Sequence, residues 1–292
     1  MTAFLYELPH HKLLMKGCYI MKISLKKGLT LALIVATAAF ITGCGGNNSA
    51  GGDNKEIKIG VTAGPHAEVM DEVAKEAAKQ GITVKVVEFN DYVQPNTALA
   101  QKDLDMNSFQ HQPYLDNAVK KQGLDLKSIG KTIILPMGVF SHKYKSLDQV
   151  ADGSTVAIPN DPTNGARALL LLQKAKLITL KDGKTVDATV ADIVSNPKNL
   201  KITELDAAQI ARSLDDMDLA CVNTNYAIPA GLNPQKDALV VEDKSSPYAN
   251  VIAVRADDVN NETYKKLVEI YQSEPIRKFI EEHFQGSILP AF

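Results

Sequence analysis

The sequence predicts an α/β protein of two lobes with a ligand cleft between them. Short apolar strands alternate with helical patterns from residue 57 onward, an order that favours parallel sheets with helices on their faces. Two longer extended stretches, residues 128–141 and 249–255, separate the alternating runs and are interpreted as crossings between lobes. Pro136 and Gly138 support this interpretation of the first stretch, because both residues are awkward in a central strand.

The first run of elements, from residue 57 to residue 121, alternates strands with helices and contains two predicted helices. Pro65 suits the first position of a helix, and Gly81 ends that helix. Gly123 ends the second helix in the same way. In chain order the predicted elements are a strand at 57–61, a helix from 65, strands at 83–89 and 104–109, and a helix at 113–121.

The second run repeats this rhythm and ends in one long amphipathic helix. Its predicted elements are strands at 155–158, 200–205 and 219–222, helices at 165–177 and 207–214, and the terminal helix at 262–284. From these elements we expect lobe 1 to comprise residues 57–141 and 247–292. Lobe 2 is expected to comprise residues 142–246.

The N-terminal segment predicts a lipoprotein signal peptide at residues 21–43. Lys22, Lys26 and Lys27 form its positive region, residues 29–40 its apolar core, and Thr42-Gly43 a small-residue cleavage site before Cys44. The apolar run is shorter than the roughly 20 residues that a permanent span needs. We therefore expect Cys44 to be lipidated; the alternative is a cleaved signal that lies beside a cysteine by chance.

This segment also sets the expected location and limits of the mature protein. Residues 1–20 precede a complete signal peptide and are interpreted as an upstream extension from a wrongly chosen start codon. Residues 44–56 are expected to form the lipid anchor and a flexible, Gly-rich linker. The mature protein is expected outside the cytoplasm, lipid-anchored to the bacterial cell membrane. The sequence does not decide whether the anchor is in the inner or the outer membrane.

Composition excludes several classes of function. The formal net charge is −2 at pH 7 and no basic block is present, which argues against nucleic acid as a partner. Of the three cysteines, Cys18 precedes the signal peptide and Cys44 is the lipidation site, so Cys221 is left alone in an apolar strand without a disulfide framework. The sequence has no Gly-x-Ser-x-Gly elbow, Walker motif or metalloprotease helix. We expect neither an enzyme nor a cofactor.

The segment 159–167 is the first candidate for ligand binding. It leaves a predicted strand and enters a helix, with Asn164 expected as the N-cap residue and Gly165 giving the backbone room. Free N–H groups at a helix start attract a carboxylate, and Arg167 one turn later is expected to hold the same group bidentately. The alternative is an exposed helix arginine beside an ordinary cap.

Aromatic residues at neighbouring strand ends form the second candidate. Tyr92, Phe109, His111 and Tyr114 are expected around one cavity, which would suit a polarizable apolar side chain. The alternative is that these rings only pack against the next helix. Asn223, Asn225 and Asn250 offer neutral donors and acceptors nearby, although many such asparagines only satisfy loop backbone.

Several motifs, taken together and in order, carry a resemblance to a known family. They are the lipobox at Cys44, Gly64-Pro65-His66-Ala67-Glu68, Phe109-Gln110-His111-Gln112-Pro113-Tyr114-Leu115, Asn160-Asp161-Pro162-Thr163-Asn164-Gly165-Ala166-Arg167-Ala168-Leu169 and Asn223-Thr224-Asn225-Tyr226-Ala227. From residue 21 to residue 292 the chain closely resembles the methionine-binding lipoproteins of the NlpA/MetQ family. The resemblance implies a two-lobed periplasmic-binding-protein fold with two crossover strands. It also implies a role as the substrate-binding component of an ABC importer.

The resemblance also implies roles for individual residues. Arg167 and Asn164 would hold the carboxylate of methionine, and Asn225 with Asn250 would engage its amino and carboxyl groups. The thioether side chain would be enclosed by the four aromatic residues Tyr92, Phe109, His111 and Tyr114. The implied partners are methionine, an ABC permease with its ATPase, and the membrane through the lipid anchor. We expect a monomer.

Three alternatives remain open from the sequence. In the first alternative, the ligand is a methionyl dipeptide or another apolar amino acid. The sequence also does not distinguish L-methionine from D-methionine. The second is a metal-binding lipoprotein that uses His66 and His111, although no His-x-His pair or cysteine pair supports a metal site. The third is an additional role as a surface adhesin.

Overall fold

The computed structural model describes residues 56–243 and 246–292 of the chain. The predicted upstream extension, signal peptide and lipidation site at Cys44 lie outside the described residues, as does the linker apart from Glu56. Within the described ranges, no helix combines the length and the apolar character that a membrane span requires.

Strands and helices alternate along most of the described chain. The strands are β1 Ile57–Thr62, β2 Val84–Phe89, β3 Met106–His111, β4 Leu126–Lys131, β5 Ile133–Ile134, β6 Gly138–Phe140, β7 Thr155–Pro159, β8 Thr179–Leu180, β9 Ile193–Ser195, β10 Lys201–Leu205, β11 Leu219–Val222, β12 Val240–Val241, β13 Asn250–Arg255 and β14 Leu289–Pro290. The helices are α1 Pro65–Ala78, α2 Gln94–Ala100, α3 Gln112–Gln122, α4 Pro162–Lys174, α5 Ala207–Ser213, α6 Thr224–Ala227, α7 Glu262–Tyr271 and α8 Glu274–Phe284.

The first lobe is built on a five-stranded sheet in the order β2-β1-β3-β13-β4. β1 is parallel to β2 and β3, whereas β13 runs antiparallel to β3 and β4. Ile59 and Val61 of β1 are buried in one core with Val69 and Val73 of α1. Because β1, β2 and β3 are parallel, the loops after them lie at one edge of the sheet.

The second lobe is built on a five-stranded sheet in the order β10-β7-β11-β6-β12. β7 is parallel to β10 and β11, and β6 is antiparallel to β11 and β12. Leu169 and Leu172 of α4 are buried in one core with Val156 and Ile158 of β7, and Cys221 lies in the same core. The parallel strands again bring their following loops, at residues 160 and 223, to one edge.

The predicted two-lobed α/β fold is therefore confirmed. The two stretches interpreted as crossings differ from the sequence interpretation. Residues 250–255 are the strand β13 inside the first sheet, not a crossing, since their apolar side chains are buried as in a central strand. The predicted first crossing, 128–141, is a crossing only in its middle, because its ends belong to β4 of the first sheet and β6 of the second; the chain returns to the first sheet between β12 and β13. The lobe limits remain a prediction, and the pairing of β6 places Gly138–Phe140 in the second sheet.

The predicted terminal helix is in fact two helices, α7 and α8. α7 ends at Tyr271, and Ser273 then adopts an extended conformation as the N-cap of α8. Pro275 lies at the start of α8, where its missing N–H is not needed. The amphipathic pattern continues across this break because both helices bury one face on the first core, through residues such as Leu267 and Ile280.

Candidate ligand-binding site

One cavity of about 330 Å³ brings the predicted site residues together. All eight predicted ligand-binding residues line it: Tyr92, Phe109, His111, Tyr114, Asn164, Arg167, Asn225 and Asn250. It is also lined by residues outside that predicted set, namely His66, Gln110, Leu135, Asn223 and Thr224. The lining comes from strand ends, loops and the first turns of helices in both lobes.

Aromatic rings form one wall of the cavity, as the sequence predicted. The Tyr92 ring lies 6.1 Å from that of Phe109 and 6.0 Å from that of Tyr114, centroid to centroid. Phe109 and Tyr114 meet edge to face at 6.0 Å. The ring of Tyr226, in the second lobe, contacts the ring of Tyr92, and their centroids are 5.1 Å apart. The rings therefore face an apolar space shared between the lobes and do not only pack against the next helix.

His111 joins this wall to the polar end of the cavity. Its Nδ1 accepts the N–H of Tyr114 at 3.1 Å and caps α3, so its proton is on Nε2. Nε2 then donates to Asn164 Oδ1 of the second lobe at 3.2 Å. Burial, with the Arg167 charge, lowers the pKa of His111 to about 3. The ring is therefore neutral at pH 7.

The N-cap of α4 is Asp161 and not Asn164, which corrects the sequence expectation. Asp161 Oδ1 accepts the backbone N–H of Asn164 at 2.9 Å and the hydroxyl of Thr163 at 3.0 Å. Pro162 occupies the first helical position, so the acidic residue before it is the better cap. Asn164 thus lies inside the first turn, where its side chain can face the cavity.

The side chain of Asn164 connects three neighbours. Its Nδ2 donates to Asp161 Oδ1 and Oδ2 at 3.1 and 2.9 Å. Its Oδ1 accepts from His111 Nε2 at 3.2 Å and from Asn223 Nδ2 at 2.9 Å. Asn164 is 2% exposed, so these contacts are made away from bulk water.

Arg167 is buried and paired with Glu242. Its Nε donates to Glu242 Oε1 at 2.7 Å, and its Nη2 donates to Glu242 Oε2 and to the backbone oxygen of Leu135. Its guanidinium also lies over the Tyr248 ring at 4.5 Å from the centroid. Both N–H groups of Nη2 are thereby used, so Nη1 is the nitrogen left to face a ligand. This pairing leaves no complete fork for the expected bidentate contact, and Arg167 is not an exposed helix arginine.

Two further pairs complete the polar end. Tyr92 donates its hydroxyl to Asn225 Oδ1 of the second lobe at 2.6 Å, and Asn225 Nδ2 has no hydrogen-bond partner among the described residues. His66 accepts from the Thr62 hydroxyl at 2.7 Å and donates from Nε2 to Asn250 Oδ1 at 3.1 Å. Burial, opposed by the bond to Asn250, lowers the pKa of His66 to about 4.

Glu242 and Asn223 were missed as site residues by the sequence prediction. Glu242 follows the short strand β12 in a segment without a recognisable motif, and its partner Arg167 lies 75 residues away in the chain. Asn223 was noted with Asn225 and Asn250 as a neutral donor and acceptor, but it was not included among the predicted ligand-binding residues. Its position at the end of the buried strand β11 was the available signal, because ligands bind at such strand ends.

The metal alternative gains no geometric support. Across residues 56–243 and 246–292, no three His, Cys, Asp or Glu side chains form a group that would hold a metal ion. His66 and His111 line the same cavity, but each ring nitrogen already has a protein hydrogen-bond partner.

The chain is similar to known proteins in sequence and in fold. The chain matches the NlpA lipoprotein family over residues 57–292. The D-methionine-binding lipoprotein MetQ of Salmonella typhi is 51% identical over 251 residues, which cover 84% of this chain and 91% of that protein. Its namesake in Escherichia coli strain K12 is 50% identical with the same coverage. A solved nutrient-binding protein from Burkholderia cenocepacia bound to methionine is 54% identical, with a TM-score of 0.79 over 81% of this chain and 100% of that chain.

Proposed function

The chain belongs to the NlpA lipoprotein family, and from that premise we propose that it is the methionine-binding protein of an ABC importer. It is a binding protein and not an enzyme. The observation that carries the proposal is one cavity with an aromatic wall at one end and buried amides with Arg167 at the other. A free amino acid with an apolar side chain needs both ends, because its backbone groups are charged and its side chain is not.

The proposed orientation follows from the groups at each end. The ligand carboxylate lies near Arg167 Nη1 and Asn225 Nδ2, and Asn164 and Asn250 complete this polar end. The thioether lies among Tyr92, Phe109 and Tyr114, where sulfur–aromatic contacts and burial are favourable. Complete burial of such a side chain contributes roughly 1.5–3 kcal/mol.

Delivery to the importer is proposed to depend on closure of the two lobes. Hydrogen bonds between described residues of the two lobes include Tyr92 to Asn225 at 2.6 Å, His111 to Asn164 at 3.2 Å, Tyr226 to the Asn90 backbone oxygen at 3.3 Å and Gln235 to the Gly286 backbone oxygen at 3.1 Å. We propose that ligand binding favours this closed arrangement and that a permease with its ATPase recognises it. Acylation of Cys44 would tether the monomer outside the cytoplasm.

Calorimetric titration tests the ligand directly. The chain from Gly45 onward would be unfolded and refolded to remove bound ligand and titrated with L-methionine, D-methionine, glycyl-methionine, leucine and glutamine. We expect binding of methionine and weak or no binding of leucine and glutamine. Binding of glycyl-methionine alone would indicate a dipeptide-binding protein. Failure to bind either enantiomer of methionine would refute the proposal.

A further inference from the structure

The orientation of the Asn164 side chain is fixed by a carboxylate. Asp161 accepts from Asn164 Nδ2 through both of its oxygens, at 3.1 and 2.9 Å. A carboxylate only accepts hydrogen bonds, so the amide nitrogen of Asn164 must face it. The amide oxygen of Asn164 is therefore turned the other way, toward His111 and Asn223.

That oxygen in turn orients Asn223. Asn223 Nδ2 donates to Asn164 Oδ1 at 2.9 Å, and a flipped Asn223 amide would place two acceptors against each other. Asn223 Oδ1 is thus directed away from Asn164. It is buried, and it has no hydrogen-bond partner among the described residues, although Asn223 lines the cavity. A buried acceptor without a donor is costly, so a donor group in the cavity would stabilise this oxygen.

The other acceptors at the polar end already have donors. Glu242 is bound to Arg167 through both oxygens, Asn225 Oδ1 accepts from Tyr92, and Asn250 Oδ1 accepts from His66. The two buried histidine rings are neutral and donate through Nε2. Asn223 Oδ1 therefore differs from these acceptors in lacking a protein donor within the described part of the chain.

We propose that Asn223 accepts a hydrogen bond from the ammonium group of the ligand, and that Asp161 is a positioning residue that sets this orientation through Asn164. The inference rests on the proposed function, because it assumes an amino-acid ligand. The protein then selects ligands with a free ammonium group through a neutral amide oxygen. Ligands that keep the carboxylate and thioether but lack the ammonium leave this oxygen unpaired and bind more weakly.

The test measures the binding of two ligands to the wild type and to a variant of Asn223. Titration calorimetry would measure methionine and 4-(methylthio)butanoic acid, which is methionine without its amino group, on the wild type and on Asn223→Ala. We expect Asn223→Ala to weaken methionine binding by about tenfold or more and to change binding of the deaminated acid by less than about twofold. Asn260→Ala, at an exposed asparagine that does not line the cavity, is the matched control and leaves both affinities unchanged.

Asp161→Asn tests the positioning role separately. Asparagine also caps helices well, so stability changes little, but it no longer forces the Asn164 amide into one orientation. We expect the affinity ratio of methionine to the deaminated acid to fall toward one, whereas a purely structural role would weaken both ligands equally. Thermal unfolding confirms folding of each variant, and Asn223→Leu, which keeps the volume, replaces Asn223→Ala if that variant is unstable.

The outcomes separate the two proposals. A wild type that does not bind methionine refutes the proposed function and the inference with it. A wild type that binds methionine, together with an Asn223 variant that weakens both ligands equally or neither, refutes the ammonium role alone. An unchanged affinity ratio in Asp161→Asn refutes the positioning role of Asp161.

Discussion

Replacement of Arg167 by methionine is expected to cost stability as well as ligand binding. The side chains of Arg167 and Glu242 are only 3% and 10% exposed, and two hydrogen bonds join them. Removal of the arginine leaves a carboxylate buried without its cation, and breaking such a pair costs about 3–5 kcal/mol. For a protein of this size, each kcal/mol lowers the melting temperature by roughly 2–4 °C. We expect a drop of roughly 6–20 °C.

The double variant Arg167→Met/Glu242→Gln separates stability from binding. It removes both charges, and the amide oxygen of the new glutamine can still accept the N–H of Met137, which Glu242 accepts at 2.9 Å. We expect most of the lost stability to return, because no buried charge is left unpaired. Methionine binding stays lost in the double variant, since no cation remains at the polar end of the cavity.

Urea unfolding followed by circular dichroism measures the stability of each variant, and calorimetry measures its binding. An Arg167→Met single variant as stable as the wild type would refute the argument from the buried pair. A double variant that binds methionine with the affinity of the wild type would refute the assignment of Arg167 to the ligand carboxylate. Glu242→Gln alone is the control for effects of the glutamine side chain.

Three further predictions concern pH, a bond between lobes and a close approach. The pKa of His66 falls from 6.5 to about 4 on burial, so its stabilising contribution is complete above pH 6.5 and is lost toward pH 4, at up to about 1.4 kcal/mol per pH unit. Urea unfolding should therefore show that His66→Gln loses less stability than the wild type between pH 7 and pH 5. An equal loss of stability in the two proteins would contradict this. Tyr92→Phe removes a bond between the lobes and should weaken methionine binding by about 0.5–1.5 kcal/mol in calorimetry; unchanged affinity would contradict this. Gly64→Ala places a Cβ 2.8 Å from Pro229 Cγ and should weaken binding, whereas Gly81→Ala, also at positive φ but with nothing within 4 Å, should not.

The fold was predictable where local pattern and topology agree. Strand β11 has the predicted bounds, and α1 begins at Pro65 as expected. The prediction was wrong where the same local sequence pattern is compatible with two different structures. Residues 250–255 are extended in either interpretation, and only their pairing with β3 and β4 shows that they belong to a sheet. The break before α8 was hidden because the apolar face continues on both sides of Pro275.

The membership of the cavity was more predictable than its hydrogen bonding. Parallel strands bring their following loops to one edge of each sheet, and the cleft expected between the lobes would take residues such as His111 from one edge and Asn225 from the other. Which partner each group takes depends on residues distant in the chain. Glu242 accepts from Nε and Nη2 of Arg167, two nitrogens that were expected from the sequence to be available to the ligand. No local pattern indicates that pairing.

The burial of Cys221 makes the protein suitable as an optical reporter. Cys221 is 0% exposed in the core of the second lobe, and burial raises the pKa of its thiol, so reagents that attack the thiolate reach it poorly. In the chain from Gly45 onward it is the one cysteine in the sequence. A new cysteine at Val93, which is 63% exposed and follows Tyr92, would therefore take a fluorescent dye selectively. Emission from that dye would follow ligand capture in real time without removal of the native thiol.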